Sequence, residues 1–212
     1  GVAAVGAAVR GGRAPVRGRG GRGQRAVTGP TPPLPVWVSP AAGAARGRGE
    51  ATGAERDAAT HVDGMAVPAV VISHTGVGGL TLGGGIGWLT HKAGLTIDNL
   101  VSADVVLADG RYVRASPDEH ADLFWALRGG GGNFGVVTTF EFQLLPVGPE
   151  VHLGLFFWGM DQGEQVLRLA RDVVPNLPVD AGAQIAIGLN APPAPFVPPQ
   201  YHFTPGYLLL IV

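Results

Sequence analysis

Two clusters of glycine constrain this chain more than any other feature of its sequence. Seven glycines lie between residues 76 and 87, in the string GVGGLTLGGGIG, and five lie between 129 and 135, in GGGGNFG. The 212 residues include 35 glycines and 18 prolines, a share at which low-complexity or disordered chains become common. Both clusters, however, lie between segments with ordinary helix and strand patterns. We therefore interpret these glycines as parts of ordered turns.

Charge is divided unevenly along the chain. Residues 1–56 contain nine arginines and two acidic residues, whereas residues 57–212 contain six basic and fourteen acidic residues. The N-terminal segment also lacks periodicity and contains the string RGRGGRG. A basic arm of this kind can bind nucleic acid through phosphate contacts, but no aromatic residue for base stacking lies between Arg10 and Arg25. We therefore expect no nucleic-acid partner.

The chain contains no cysteine, which excludes disulfides, thiolate metal ligands and a cysteinyl link to a cofactor. No apolar run approaches the roughly 20 residues of a membrane span, and the N-terminus has no continuous apolar signal segment. These features predict a cytoplasmic protein with no membrane partner. No group of residues predicts a metal site.

Hydrophobic periodicity predicts an α+β fold. Alternation between Val101 and Leu107, followed by Asp109-Gly110, predicts a hairpin because these turn residues tolerate positive φ. The string from Ser116 to Glu119 predicts a capping box at the start of a helix that Gly129 ends. The other predicted elements are helices over 54–65 and 161–173, the second capped by Asp161, and strands over 69–72, 136–144 and 207–212. The last strand has no evident partner, which predicts aggregation.

The first glycine cluster follows the predicted buried strand 69–72. Backbone N–H groups that converge in such a loop can bind phosphate oxygens without a lysine. The alternative is close packing of backbone segments where side chains do not fit, and the loop alone leaves both interpretations open. No Walker A string is present. Gly130 to Gly135 match G-x-G-x-x-G, but they follow a helix and precede a strand, which is the reverse of the Rossmann order.

Four motifs in order closely resemble the FAD-linked oxidases of the berberine bridge enzyme type, which carry a PCMH-type flavin domain. The motifs are SHTGVGGLTLGGGIGWLT from Ser73, GLTIDNL from Gly94, ADGR from Ala108 and DLFWALRGGGGNFGVV from Asp122. The resemblance runs from about residue 57 to 148 and continues more weakly beyond it. It implies an α+β flavin domain of two lobes that bind FAD, followed by the start of a substrate domain with an antiparallel sheet.

The resemblance divides the chain into three regions. Residues 1–56 are an arginine- and glycine-rich, degraded first flavin lobe, residues 57–147 are the FAD-binding domain, and residues 148–212 are part of a substrate domain. Within the first region, residues of about 13–35 and 44–56 look like out-of-frame or degraded translation of an arginine-rich gene. The single lysine of the chain, Lys92, fits that interpretation.

The resemblance also implies which residues contact FAD. Residues 75–80 would lie against the pyrophosphate, and glycines 83–87 would let the chain pass close to the cofactor. Asp98 and Asn99 would fix the next turn, or form only a turn, and Val136 and Val137 would touch the adenosine or ring end, or belong to the core. The full set is Ser73, Thr75, Gly76, Val77, Gly78, Gly79, Leu80, Gly83, Gly84, Gly85, Gly87, Asp98, Asn99, Gly135, Val136 and Val137.

The covalent flavin anchors of the family are absent. The usual histidine position is Ala14 and the usual cysteine position is Ile72, which implies that FAD is held non-covalently. His74 and His91 are loop histidines without an evident carboxylate partner, a pattern more typical of structural residues. The sequence therefore assigns no catalytic residue.

The implied function is that of an FAD-dependent oxidase or dehydrogenase. Such an enzyme transfers a hydride from a small organic substrate to FAD, and molecular oxygen reoxidises the flavin. The alternative is a degenerate relative that binds FAD weakly or not at all. The sequence does not identify the substrate.

Overall fold

Two antiparallel sheets organise the part of the chain that the computed structural model describes, namely residues 3–10, 36–148, 150–195 and 197–212. The strands are β1 (Ala3–Arg10), β2 (Val36–Ser39), β3 (Ala44–Arg48), β4 (Met65–Ala66), β5 (Leu100–Val106), β6 (Tyr112–Ala115), β7 (Val136–Gln143), β8 (Leu145–Pro146), β9 (Glu150–Gly159), β10 (Ala183–Asn190) and β11 (Pro205–Ile211). The α-helices are α1 (Gly53–Thr60), α2 (Val77–Leu82), α3 (Thr90–Ala93), α4 (Ala121–Gly130) and α5 (Gly163–Val173).

The first sheet has five strands in the order β2-β3-β7-β5-β6, and it carries the main hydrophobic core. Alternation along β7 places Phe140 and Phe142 on one face, where both are fully buried and their rings stack 6.0 Å apart. Helix α4 adds Phe124 and Leu127 to this core. The predicted hairpin is confirmed, since Gly110 turns the chain with a φ of +84° between β5 and β6.

The second sheet has four strands in the order β1-β9-β11-β10. Helix α5 packs on it through Val166, which is buried with Trp158 of β9 and Leu209 of β11. Strand β11 pairs with β9 on one side and with β10 on the other. The predicted exposure of the C-terminal strand is therefore wrong, because partners on both sides satisfy its backbone.

Three local predictions differ from the structure. Residues 69–72 form no strand: Ala69 and Val70 are buried, whereas Val71 and Ile72 are exposed. The Ser116 hydroxyl accepts from the N–H of Glu119, and the N–H of Ser116 donates to the Glu119 carbonyl, so this segment closes a turn ahead of α4. Asp161 lies in a 3₁₀ turn before α5, and no side chain caps that helix. The α+β class with an antiparallel sheet is confirmed.

Residues 44–56 also differ from the expectation of degraded sequence. Strand β3 pairs with β2 and with β7, which places it inside the five-stranded sheet. Helix α1 follows, with a capping box formed by Thr52 and Glu55. Buried Ala45 and Gly47 alternate with half-buried Ala44, Arg46 and Arg48 along β3, and the arginine-rich composition around them hides this alternation in the sequence. Residues 13–35 lie outside the described part of the chain.

Within the described ranges, no helix is both long and apolar enough to cross a membrane.

Candidate flavin-binding site

The segment from Ser73 to Gly76 is held against the start of α1. The N–H of Gly53 donates to the carbonyl of Thr75 at 3.0 Å, and the N–H of Ala54 donates to the carbonyl of Ser73 at 2.8 Å. Thr75 in turn donates its N–H to the carbonyl of Ile72 at 3.0 Å. The capping box of α1 therefore orders the first part of the predicted pyrophosphate-binding segment.

The next residues, predicted as a loop, form the short helix α2. The N–H of Val77 donates to the carbonyl of Ala51 at 2.8 Å, which pins the first turn. The N–H groups of Gly78 and Gly79 belong to the same turn and have no acceptor among the described residues, as expected for the first turn of a helix. A Cβ at Gly76 or Gly79 would meet no atom within 4 Å. This surface is therefore open and offers two backbone donors.

Gly78 shows why the distant segment 136–137 lies beside this helix. A Cβ at Gly78 would lie 2.7 Å from the carbonyl oxygen of Gly49, and a Cβ at Gly49 would lie 2.6 Å from that of Val137. Three backbone segments therefore approach each other where no side chain fits, and the N–H of Gly49 donates to the carbonyl of Thr138 at 3.0 Å. The sequence reasoning missed Gly49. The Thr52-x-x-Glu55 capping pattern marks the start of α1, and Gly49 lies in the turn that precedes this helix.

Val136 and Val137 have different surroundings. Val136 is 69% exposed, whereas Val137 is half-buried and packs against the main core. An open groove of about 630 Å³ lies beside them, lined also by Trp37, Arg48 and Gly49. Of the two alternatives for this pair, Val136 has the exposure of a contact residue and Val137 that of a core residue. Gly135, with a φ of +147°, places Val136 at the start of β7.

The glycines from 83 to 87 have two roles. Gly83 ends α2 and is exposed, and Leu80 of the same helix is half-buried. The carbonyls of Gly84 and Gly85 accept from the N–H groups of Ile97 and Thr96 at 2.9 Å, and both glycines have positive φ. A Cβ at Gly87 would overlap the backbone of Ala69. Gly85 and Gly87 therefore serve close packing, which was the second interpretation of this cluster.

Asp98 and Asn99 stabilise the turn before β5. The Asn99 side chain donates to the carbonyls of Ala93 and Leu95, both at 2.9 Å. The Asp98 carboxylate accepts from the N–H of Leu95 at 2.9 Å and from the Arg128 guanidinium at 3.2 Å. All of their hydrogen bonds in the described part of the chain are structural, so their roles there are those of turn residues.

The residues at the expected positions of the covalent anchors carry no group that could bond to flavin. Ile72 is 56% exposed beside Thr75, and its alkyl side chain cannot form a bond to flavin. Ala14 lies outside the described residues. His74 is exposed. His91 contacts the carbonyl of Ala181 at 3.0 Å, and Ala181 lies 90 residues further along the chain.

The helix α1 that holds this segment carries the carboxylate of Glu55 in its first turn. This carboxylate accepts hydrogen bonds from the N–H and the hydroxyl of Thr52, at 2.8 and 2.9 Å, and these bonds hold the pKa of Glu55 below its ordinary value. Glu55 is therefore ionised at neutral pH, and its carboxylate is engaged in the N-terminal cap of α1. The open glycines and unpartnered amides of α2, with the exposed Val136, fit a dinucleotide that needs close backbone approach and N–H donors to its phosphates.

Comparisons with known proteins agree with this arrangement. Residues 36–116 match the family described as FAD binding domain. FAD-linked oxidoreductase pgmH of Aspergillus terreus is 53% identical over 95 residues, which are 45% of this chain and 19% of that protein. Glucooligosaccharide oxidase of Sarocladium strictum is 44% identical over 120 residues, which are 55% of this chain and 24% of that protein.

A solved structure of 6-hydroxy-D-nicotine oxidase from Arthrobacter nicotinovorans superposes with a TM-score of 0.66 and 27% identity. The match covers 83% of this chain and 37% of that one. The chain thus spans only about a fifth to a quarter of the two curated relatives. The predicted similarity to FAD-linked oxidoreductases and the predicted cofactor, FAD, are confirmed, whereas the berberine bridge enzyme type stays a prediction. The match begins at residue 36, inside the segment expected to be degraded. Residues 36–116 of this chain thus match an FAD binding domain, and the proteins to which the chain is similar are FAD-linked oxidoreductases.

Proposed function

We propose that this chain is the flavin-binding part of an FAD-dependent oxidoreductase of the berberine bridge enzyme type. In this proposal the whole enzyme removes a hydride from a small organic donor, and molecular oxygen is the final acceptor. The observation that carries the proposal is the open surface at Gly76 and Gly79, which lies inside the segment that matches the FAD binding domain. FAD, when bound, supplies the hydride acceptor.

The residues of this chain bind and orient the cofactor. The N–H groups of Gly78 and Gly79 donate to anionic oxygens, and the absence of side chains at Gly76 and Gly79 lets the pyrophosphate approach the backbone. Val136 provides apolar contact at the groove beside Gly49. Attachment is non-covalent, since Ile72 cannot form a link.

The donor class follows from the relatives. Their names specify a glucooligosaccharide oxidase and a hydroxynicotine oxidase, which both act on small organic molecules. We propose a donor of the same broad class, with a CH–OH or CH–N group. The residues that would select it lie on the second sheet and beyond.

A retention experiment tests FAD binding. The protein is mixed with FAD, desalted, and examined for flavin absorbance and for thermal stabilisation. Gly79→Leu, whose side chain would extend into open space, is expected to keep the fold and weaken FAD binding at least about tenfold because it blocks the approach to the backbone.

Gly148→Leu is the matched control, because a Cβ at Gly148 also meets no atom within 4 Å but lies away from the candidate site. It is expected to bind FAD as the parent does. A colourless parent protein that FAD does not stabilise would contradict the proposal. That result would favour the alternative, a degenerate relative that binds FAD weakly or not at all.

A further inference from the structure

A second pocket lies apart from the open glycines, between the segment that follows the glycine cluster and the segment that leads into β10. It has a volume of about 590 Å³. The segment Ile86–His91 forms one wall, and residues between 174 and 184, which lead from the end of α5 into β10, form the other. Its size is within the range of pockets that hold small organic ligands.

Three contacts hold the walls of this pocket together. His91 bonds to the carbonyl of Ala181 at 3.0 Å, and the Lys92 ammonium lies 2.7 Å from the Asp180 carboxylate. The backbone at Gly182 passes so close to the Trp88 carbonyl that a Cβ there would overlap it. These contacts fix the two wall segments against each other.

The lining of the pocket is largely apolar. Val71, Ile86, Val174 and Leu177 provide aliphatic surface, and Trp88 provides an aromatic ring. Apart from the indole N–H of Trp88, the polar side chains of the lining are Thr90, His91 and Gln184. The Thr90 hydroxyl already accepts from the N–H of Gly87 at 2.9 Å. Such a wall favours a ligand with an apolar body and few hydrogen-bonding groups.

The hydrogen bond of His91 determines what its second nitrogen can do. A carbonyl oxygen only accepts, so Nδ1 must carry the hydrogen in the bond to Ala181. In the neutral ring, Nε2 is then left with a lone pair. Nε2 has no hydrogen-bond partner within the described ranges of the chain. It is therefore an acceptor at the edge of an apolar pocket.

We propose that this pocket binds a compact aromatic molecule of one or two fused rings that carries a single N–H or O–H donor. The ring packs among Trp88 and the aliphatic side chains, and the donor bonds to Nε2 of His91. Hydroxyl-rich ligands such as oligosaccharides are disfavoured, because the few polar side chains of the lining cannot satisfy their groups. The inference does not depend on FAD binding.

Calorimetric titration of the full chain without FAD tests the proposal, with three probes. Indole has the required ring and N–H donor, 1-methylindole has the same ring system without the donor, and cellobiose is a hydroxyl-rich control. We expect indole to bind, 1-methylindole to bind about five- to tenfold more weakly through loss of one hydrogen bond, and cellobiose to give no binding heat. Failure of indole to bind, or equal affinity for the two indoles, would overturn the proposal.

Paired variants locate the site. Ile86→Glu and Ile187→Glu replace isoleucines that are 66% and 60% exposed, but only Ile86 lines the pocket. Indole binding should weaken in Ile86→Glu alone. In His91→Phe the preference for indole over 1-methylindole should disappear, while in His74→Phe it should persist. A preference that survives His91→Phe contradicts the assigned acceptor even where the overall affinity falls.

Discussion

At the scale of the residue, the glycines of one cluster divide into two kinds. Gly76 and Gly79 face open space, whereas Gly78, Gly85 and Gly87 lie where a Cβ would meet backbone or side-chain atoms of another segment. The family resemblance assigned all of them to the cofactor, because glycine looks the same in both situations. The difference depends on which distant segment lies opposite each residue.

Substitution by alanine separates the two kinds of glycine. Gly87→Ala should lower the free energy of unfolding by about 1–3 kcal/mol, since its Cβ would overlap the backbone of Ala69. Gly79→Ala should leave it unchanged or raise it by up to about 1 kcal/mol, because alanine favours the helix and meets no neighbour. Urea unfolding followed by circular dichroism measures both. Equal losses in the two variants would contradict the assignment.

At the scale of the element, one sequence pattern gives two structures. Thr52-x-x-Glu55 and Ser116-x-x-Glu119 both have the form of a capping box. Only the first caps a helix, and the second closes a turn in which Ser116 donates its N–H to the Glu119 carbonyl at 2.7 Å. Helix α4 then begins at Ala121, after His120 in a left-handed conformation. Local pattern predicts that a cap residue is used, but not whether the following backbone is helical.

The two patterns should differ in their response to pH. Hydrogen bonds from Thr52 lower the folded-state pKa of Glu55 below its ordinary value of 4.5. The stabilisation is therefore complete above the unfolded-state pKa, and it is lost as the pH falls through the lower folded-state pKa. The melting temperature of the parent should exceed that of Glu55→Gln at pH 7, and the difference should shrink as the pH falls.

Glu119→Gln is the control for this experiment. The Glu119 side chain takes no part in a capping bond of the described structure, and only its backbone contacts Ser116. We expect the gap between parent and Glu119→Gln to change little over the same pH range. A gap for Glu55→Gln that stays constant in acid would show that the carboxylate does not stabilise the cap.

At the scale of the whole molecule, the segment 88–92 around α3 contacts the segment 180–182 that leads into β10. His91 and Lys92 contact residues 181 and 180, and the backbone of Gly182 passes beside Trp88. The main core of the five-stranded sheet includes none of these residues. A change at this junction should therefore weaken the contact between segments 88–92 and 180–182 more than it lowers the stability of the first core.

Gly182→Ala tests this separation, since its Cβ would overlap the Trp88 carbonyl. Hydrogen exchange should speed up in residues 86–92 and 181–184, while amides of β5 and β7 keep their protection. Gly148→Ala, where a Cβ meets no atom within 4 Å, should leave the exchange of all these segments unchanged. Loss of protection throughout β5 and β7 in Gly182→Ala would instead show one cooperative unit.

The sequence by itself determined the family, the cofactor and the elements with strong local signals. Alternation and Asp109-Gly110 predicted the β5–β6 hairpin, and the motif strings predicted the flavin domain, because both depend on residues close together in the chain. Only the tertiary structure decided that residues 44–48 belong to the five-stranded sheet, that β11 lies between two partners, and which glycines stay open. Those outcomes depend on close approach of backbone segments far apart in sequence, such as Gly49 between Gly78 and Val137. Local periodicity carries no record of such contacts.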